Sequence, residues 1–301
     1  MIKQIKNYPS IIARPYIRAS KKDAQWKDNQ RYTFESLVTV LASYAVSDLL
    51  NIYTTLREPV ESGEGDLSEK DLEIIESLKN IENLKSIGLE QMSLGKWCAV
   101  LRETTKVLKD YQDKSFIPEL YKNFQPPSNK LWDDINSLVK QRNDDAHGVP
   151  ISDSELKKVL TSRQEILDRI LEQCSFLENY TISIFEKLVL KSNSQQVSGK
   201  SFVNDGQESI IVPADLEPPL GEILLVNHNK KFTFIKLRPL IVYAPINGQD
   251  SRQLSLYSKQ LDKEGNQIHY LGVDGAVAVS YTHLRAHETP EHLVCRLLLE
   301  K

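Results

Sequence analysis

Leu131-Trp132-Asp133-Asp134-Ile135-Asn136-Ser137-Leu138-Val139-Lys140-Gln141-Arg142-Asn143-Asp144-Asp145-Ala146-His147-Gly148-Val149-Pro150 carries apolar residues at 131, 132, 135, 138, 139 and 146. This spacing predicts one amphipathic helix whose apolar face packs on other helices. Gly148 accepts the left-handed conformation that follows a helix and Pro150 cannot continue one, so His147 is expected in the last turn. Arg142, Asn143 and His147 then gather at a helix terminus that is unusually polar for an element with a core face.

Working outward, Phe34, Leu37, Val38, Leu41, Ala45, Leu49 and Ile52 mark a long first helix. Glu61 to Asp66 reads as a loop, and Ser68 with Asp71 opens a second helix with a stripe of Ile74, Ile75, Leu78, Ile81 and Leu84. Ser93-Leu94-Gly95-Lys96-Trp97 opens a third, with Trp97, Leu101 and Leu108 on one face and Trp97 expected in the core. Pro118, Pro126 and Pro127 break the chain before the central helix. Ser152-Asp153-Ser154-Glu155 has the form of a capping box, after which apolar residues from Leu156 to Phe185 suggest a long final helix. Four or five helices over residues 31–190 predict an antiparallel bundle.

An R-N-x-x-x-H run closing a helix resembles the HEPN family of small helical domains. Many of these are RNases, and others bind nucleotides or act as non-catalytic partners. The Leu94-Gly95-Lys96-Trp97 opening followed by Leu101-Arg102 is similar to what precedes that helix in many bacterial members. The resemblance covers the helical region and implies a metal-independent endoribonuclease of a defence or toxin-like system, with Arg142, Asn143 and His147 as site residues. The alternative is a non-catalytic module that dimerises or binds a nucleotide or partner.

Metal-free RNA cleavage needs a base near neutral pKa for the 2′-hydroxyl and a fixed cation for the charge on the phosphorane. Histidine at a helix C-terminus is held toward its protonated form, and arginine offers a permanently charged fork that matches phosphate oxygens. Asn143 and His147 lie on nearly one helical face, whereas Arg142 is about 140° round from His147. One copy therefore places base and cation apart, so a homodimer with the two motif ends facing each other is expected, as the resemblance also implies. The structural alternative has Arg142, Asn143 and His147 capping the helix and pairing with Asp144 or Asp145. A metal at Asp144 and Asp145 lacks a third carboxylate at helical spacing, so no metal site and no cofactor are expected.

Residues 191–208 are polar and read as a linker. Beyond it, over 209–277, come β-type runs at 210–212, 223–226, 232–235, 240–243, 254–257 and 268–271, separated by turn signals. The fold class expected is thus α+β, an N-terminal antiparallel helical bundle followed by a small, mostly antiparallel β domain that serves recognition or packing. Residues 1–31 carry Lys3, Lys6, Arg14, Arg18, Lys21, Lys22, Lys27 and Arg31, interleaved with Tyr8, Tyr16 and Trp26, and 1–30 are set apart as a basic N-terminal segment. They read as a solvated N-terminal extension packed through its aromatics, with an RNA-contacting arm as the alternative.

Residues 279–301 offer His283, His287, His292 and Cys295 at ligand-like spacings. The segment instead resembles translated sequencing-adapter sequence: Ser280 to Thr289 and Leu293 to Lys301 match two adapter segments, and Pro290-Glu291 falls where a sample index would lie. On that resemblance the chain is a truncated metagenomic reading frame whose natural sequence stops near Val277, with a possible downstream domain lost.

The net charge of -3 gives no global positive field, so RNA, the expected partner, must be met by a local patch. The N-terminal residues do not read as a signal peptide and none is expected, no apolar run reads as long enough to span a bilayer, and three scattered cysteines suggest no disulfide framework. A cytoplasmic protein is expected.

Overall fold

The computed structural model describes residues 2–61, 92–124, 130–146, 152–191, 194–229, 232–245, 252–260, 267–272 and 278–282. The fold is α+β. A 3-10 turn at Lys3–Asn7 leads to helices α1 (Ser10–Ala19) and α2 (Trp26–Glu61). Then come α3 (Leu94–Asp110), α4 (Pro118–Asn123), α5 (Lys130–Ala146) and α6 (Asp153–Gln173). Strands β1 (Tyr180–Lys191), β2 (Ser194–Phe202), β3 (Glu208–Pro213), β4 (Ile223–Asn227) and β5 (Thr233–Lys236) form one antiparallel sheet, in the order β3-β2-β1-β4-β5. A second antiparallel sheet runs in sequence through β6 (Ile241–Pro245), β7 (Arg252–Gln260), β8 (Gln267–Gly272) and β9 (Ala278–Thr282).

The chain does not divide at 191–208. One compact unit takes in Met1–Val38 and Asn123–Lys236, and the other Thr39–Lys122 and Leu237–Gly272, so each combines helices with a sheet. The residues expected as linker hold β2, which pairs with β1 in register from Ile182↔Phe202 to Lys191↔Ser194. The final helix stops at Gln173 rather than running to Phe185, and the 3-10 turn at Ser175–Asn179 turns the chain into β1.

In the first unit the N-terminal residues pack through Tyr8, Tyr16 and Trp26 as expected, and their isoleucines build them further into the core. Ile2, Ile5, Tyr8, Ile11, Ile12 and Tyr16 are buried. Tyr8 donates its hydroxyl to the Leu171 carbonyl at 2.8 Å, and Tyr16 donates to Asp168 Oδ1 at 2.9 Å, which fastens α1 to α6. Burial raises both phenols above the ordinary tyrosine range, so they stay neutral donors. The basic side chains are what this amphipathic segment leaves outside. At the start of α6 the capping box is formed as the sequence predicts: Ser152 Oγ accepts from the Glu155 amide, and Glu155 Oε2 accepts from the Ser152 amide at 2.9 Å.

In the second unit Trp97, Leu101 and Leu108 of α3 are buried, and Trp97 meets Tyr257 edge to face with centroids 6.4 Å apart. Asp48 of α2 is buried and accepts from Ser115 Oγ and the amides of Phe116 and Ile117, at 2.7, 2.7 and 3.0 Å. A buried carboxylate is stable there because three donors replace its lost hydration. Contrary to the sequence reading, α2 is long and apolar enough over 26–56 to cross a membrane by length and composition, yet 83% of its most apolar 18-residue window is buried inside the protein. Strand β9 includes the first residues of the 279–301 segment, paired from Leu271↔Ala278 to Gln267↔Thr282. Strand addition asks only for an open edge and β-prone residue types, which Val279, Tyr281 and Thr282 are, whatever encoded them. The second helix expected at 68–84, and the tail from His283 onward with its histidines and Cys295, lie outside the described residues.

Cys98 and Cys174 are free and buried, and burial pushes their thiols up to about 11 and about 12. A thiol that high is almost wholly protonated at pH 8 and unreactive. Alkylation at pH 8 should therefore leave both unmodified in the folded chain and modify both in urea, as read by peptide mass analysis. Modification of either at the free-thiol rate without urea would contradict their enclosure.

Candidate functional site

Helix α5 forms over Lys130–Ala146 as its apolar spacing predicts, with Leu131, Trp132, Ile135 and Leu138 buried. It packs against α6 through two ion pairs. Asp134 takes Arg169 in two bonds, from Arg169 Nη2 at 2.6 Å and Nε at 3.2 Å. One helical stretch on, Asp145 Oδ2 accepts from Arg163 Nη1 at 2.8 Å, and Arg163 Nε donates to Gln141 Oε1 at 3.3 Å. Arg163 is 6% exposed and grips α5 on both sides of Arg142, so it fixes the rotation of that helix end. Asp145 Oδ1 also lies 3.2 Å from Lys27 Nζ of α2. Burial opposes the charge of Asp145, but Arg163 and Lys27 outweigh it and hold the carboxyl below its usual range.

Arg142 points to α2, where its Nε donates to Glu35 Oε1 at 3.1 Å. That is a single-tooth contact on a half-exposed guanidinium, so the rest of the fork remains available. Asn143 and Asp144 are exposed. His147 and Gly148 lie outside the described residues. The structure thus places Arg142 and Asn143 at the end of one helix as expected, but Arg142 pairs with Glu35 rather than with Asp144 or Asp145. Among the described residues no cluster of three metal-ligating side chains comes together.

Around Arg142 lies a small, shallow cleft, partly open to solvent and lined by Gln30, Arg31, Phe34, Leu138, Arg142, Asp145, Arg163 and Leu167. Phe34, Leu138 and Leu167 are its apolar lining, and its polar lining is Arg31, Arg142, the ion-paired Arg163 and Asp145, and Gln30. Arg31 lies over the Tyr32 ring at 5.0 Å and pairs with Asp28 at 3.2 Å. The sequence reading missed Glu35 and Arg163 and named Arg31 only among the basic residues of the N-terminal segment, whose alternative reading is an RNA-contacting arm. Two signals mark them in hindsight. Lys27, Arg31 and Glu35 recur every four residues on α2, and Arg163 interrupts the stripe of Leu160, Leu167 and Ile170 on α6, where a charge must be paired.

No protein-family model, curated protein or solved structure matches the chain, so the site is read from its own side chains.

Proposed function

We propose that the chain is a metal-independent endoribonuclease of HEPN type, in which α2, α5 and α6 belong to a HEPN-like helical bundle and Arg142, Asn143 and His147 serve the reaction. The observation that carries this reading is Arg142, half-exposed at the rim of an arginine-lined cleft on the helix that the R-N-x-x-x-H run closes. In this reading His147 removes the 2′-hydroxyl proton, that oxygen attacks the phosphorus, and the 5′-oxygen leaves to give a 2′,3′-cyclic phosphate. Arg142 stabilises the phosphorane charge. The active form is a homodimer, because Arg142 of one protomer then meets His147 of its partner on one phosphate.

The contact between Glu35 and Arg142 favours a second reading, a non-catalytic module in which the motif arginine ties two helices together. Incubation of RNA with the full chain in EDTA separates the two. Cleavage to cyclic phosphates that falls about 100-fold or more in Arg142→Ala and His147→Ala, with circular dichroism unchanged, is the expected result. Mixing the two inactive variants should restore part of the activity through heterodimers that carry one intact pair. Intact RNA at high protein concentration, or full cleavage by either variant, would leave the second reading in place.

A further inference from the structure

We propose that the cleft at Arg31 and Arg142 is an exchangeable seat for one RNA phosphate, and that Glu35 is the anion the phosphate displaces. The inference rests on the ribonuclease reading for the identity of the ligand and goes beyond it in assigning Arg31 and Glu35.

The stripe on α2 meets the end of α5 residue against residue. Lys27 faces Asp145 and Glu35 faces Arg142, at 3.2 and 3.1 Å. Arg31, midway between them, pairs with Asp28 on its own helix, and among the described residues no ion pair joins it to α5. Its Nε is buried without a hydrogen-bond partner, as is Oε1 of the neighbouring Gln30, which also lines the cleft. Glu35 acts on both guanidinium groups. It bonds Arg142, and although burial opposes the charge of Arg31, that charge is supported by Tyr32, Glu35 and Asp28.

Arg163 does not share this freedom. It is enclosed and engaged by Asp145 and Gln141, so it supports the wall while Arg31 and Arg142 remain half-exposed. Two half-exposed forks, one bonded by Glu35 and the other paired with the exposed Asp28, make a seat that a phosphate can take over while Asp145 stays neutralised by Arg163 and Lys27. The phosphate can do so because a diester offers two oxygens where Glu35 uses one. The displaced carboxylate goes to water from a position that is already 31% exposed. In the free protein Glu35 offsets the repulsion between the two cations, and in the complex the phosphate does so.

The test is binding of a fluorescein-labelled 2′-O-methyl RNA 12-mer, which cannot be cleaved, to the full chain by anisotropy at fixed salt. Arg31→Gln should weaken binding about fivefold to tenfold, the size of one charge-assisted contact. Glu35→Gln should tighten it by a similar factor, and in the Arg31→Gln background that gain should fall below about twofold. Asp144→Asn, exposed beside the motif, reports the general effect of removing a negative charge and should change affinity less than about twofold. Equal gains from Glu35→Gln and Asp144→Asn, or an unchanged affinity in Arg31→Gln, would overturn the seat. Should Glu35→Gln lose its helical signal, inorganic phosphate serves as the probe: it should compete with the oligomer in wild type and fail to compete in Arg31→Gln, and equal competition in both would overturn the seat. A chain that binds with this pattern but leaves RNA intact would support the seat and overturn the ribonuclease reading, whereas a chain that does not bind would overturn both.

Discussion

Gly199→Ala is expected to cost about 4 kcal/mol or more, a large part of the stability of an ordinary domain. A Cβ at this position would lie 2.1 Å from the Ile184 carbonyl oxygen and 2.8 Å from the Phe185 Cα, well inside contact distance. Both neighbours are backbone, so no side chain can swing away to relieve the clash. The crowding follows from the register of β1 and β2, which slips between Phe185 and Lys187 opposite Gly199. The Phe185 carbonyl is committed to the Gly221 amide at 2.8 Å, which prevents β1 from backing off. Chemical denaturation should show the loss, with Lys200→Ala next door changing stability by less than about 0.5 kcal/mol, since its pair with Glu186 is at the surface. A Gly199→Ala chain within about 1 kcal/mol of wild type would mean that the strands can separate without consequence.

Arg163→Met should cost about 3 kcal/mol at pH 7, because it strands the partly buried Asp145 carboxylate with only the half-exposed Lys27 as partner. Replacing both members, Arg163→Met with Asp145→Met, should recover most of that loss, since no unpaired charge remains. The pH dependence has a definite sign. The folded-state pKa of Asp145 is depressed, so its contribution is fully present above the ordinary carboxylate value and is lost as pH falls through the folded value. The gap between wild type and Arg163→Met should accordingly be widest near pH 7 and narrow below about pH 4. An equal gap at pH 3 and pH 7 would show that the ion pair is not its source.

The helices were legible wherever an apolar stripe met a clear stop. Ser93 opens α3, and Ser152 with Glu155 opens α6, as the sequence indicates, whereas the short α4 that begins at Pro118 and the end of α6 at Gln173 were not foreseen. Strands β3 to β8 were legible as short β-prone runs between turn signals. Strands β1 and β2 were not. The passage from α6 to β1 has no Gly or Pro, and Cys174, Leu177 and Phe185 continue a helical spacing although the chain has already turned. Strand β2 is mostly polar and buries Val197 and Phe202 as its apolar contribution, so composition alone suggests a linker. Its pairing on both sides, with β1 and β3, is a tertiary effect that outweighs residue preference. At the site, the helix end with Arg142 and Asn143 was legible from periodicity. Glu35 and Arg163 were not, because their partners lie 107 and 18 residues away in sequence.

The fastening of α1 to α6 has a consequence for synthesis on the ribosome. Tyr8 and Tyr16 emerge first, but their partners Leu171 and Asp168 are made 163 and 152 residues later. At about 5–20 residues per second, the N-terminal helix waits on the order of 10–30 s with its isoleucines and tyrosines uncovered. That interval is when a chaperone that holds short apolar segments would find this chain, and a nascent chain stalled before residue 168 should bind one more strongly than a chain released beyond residue 236.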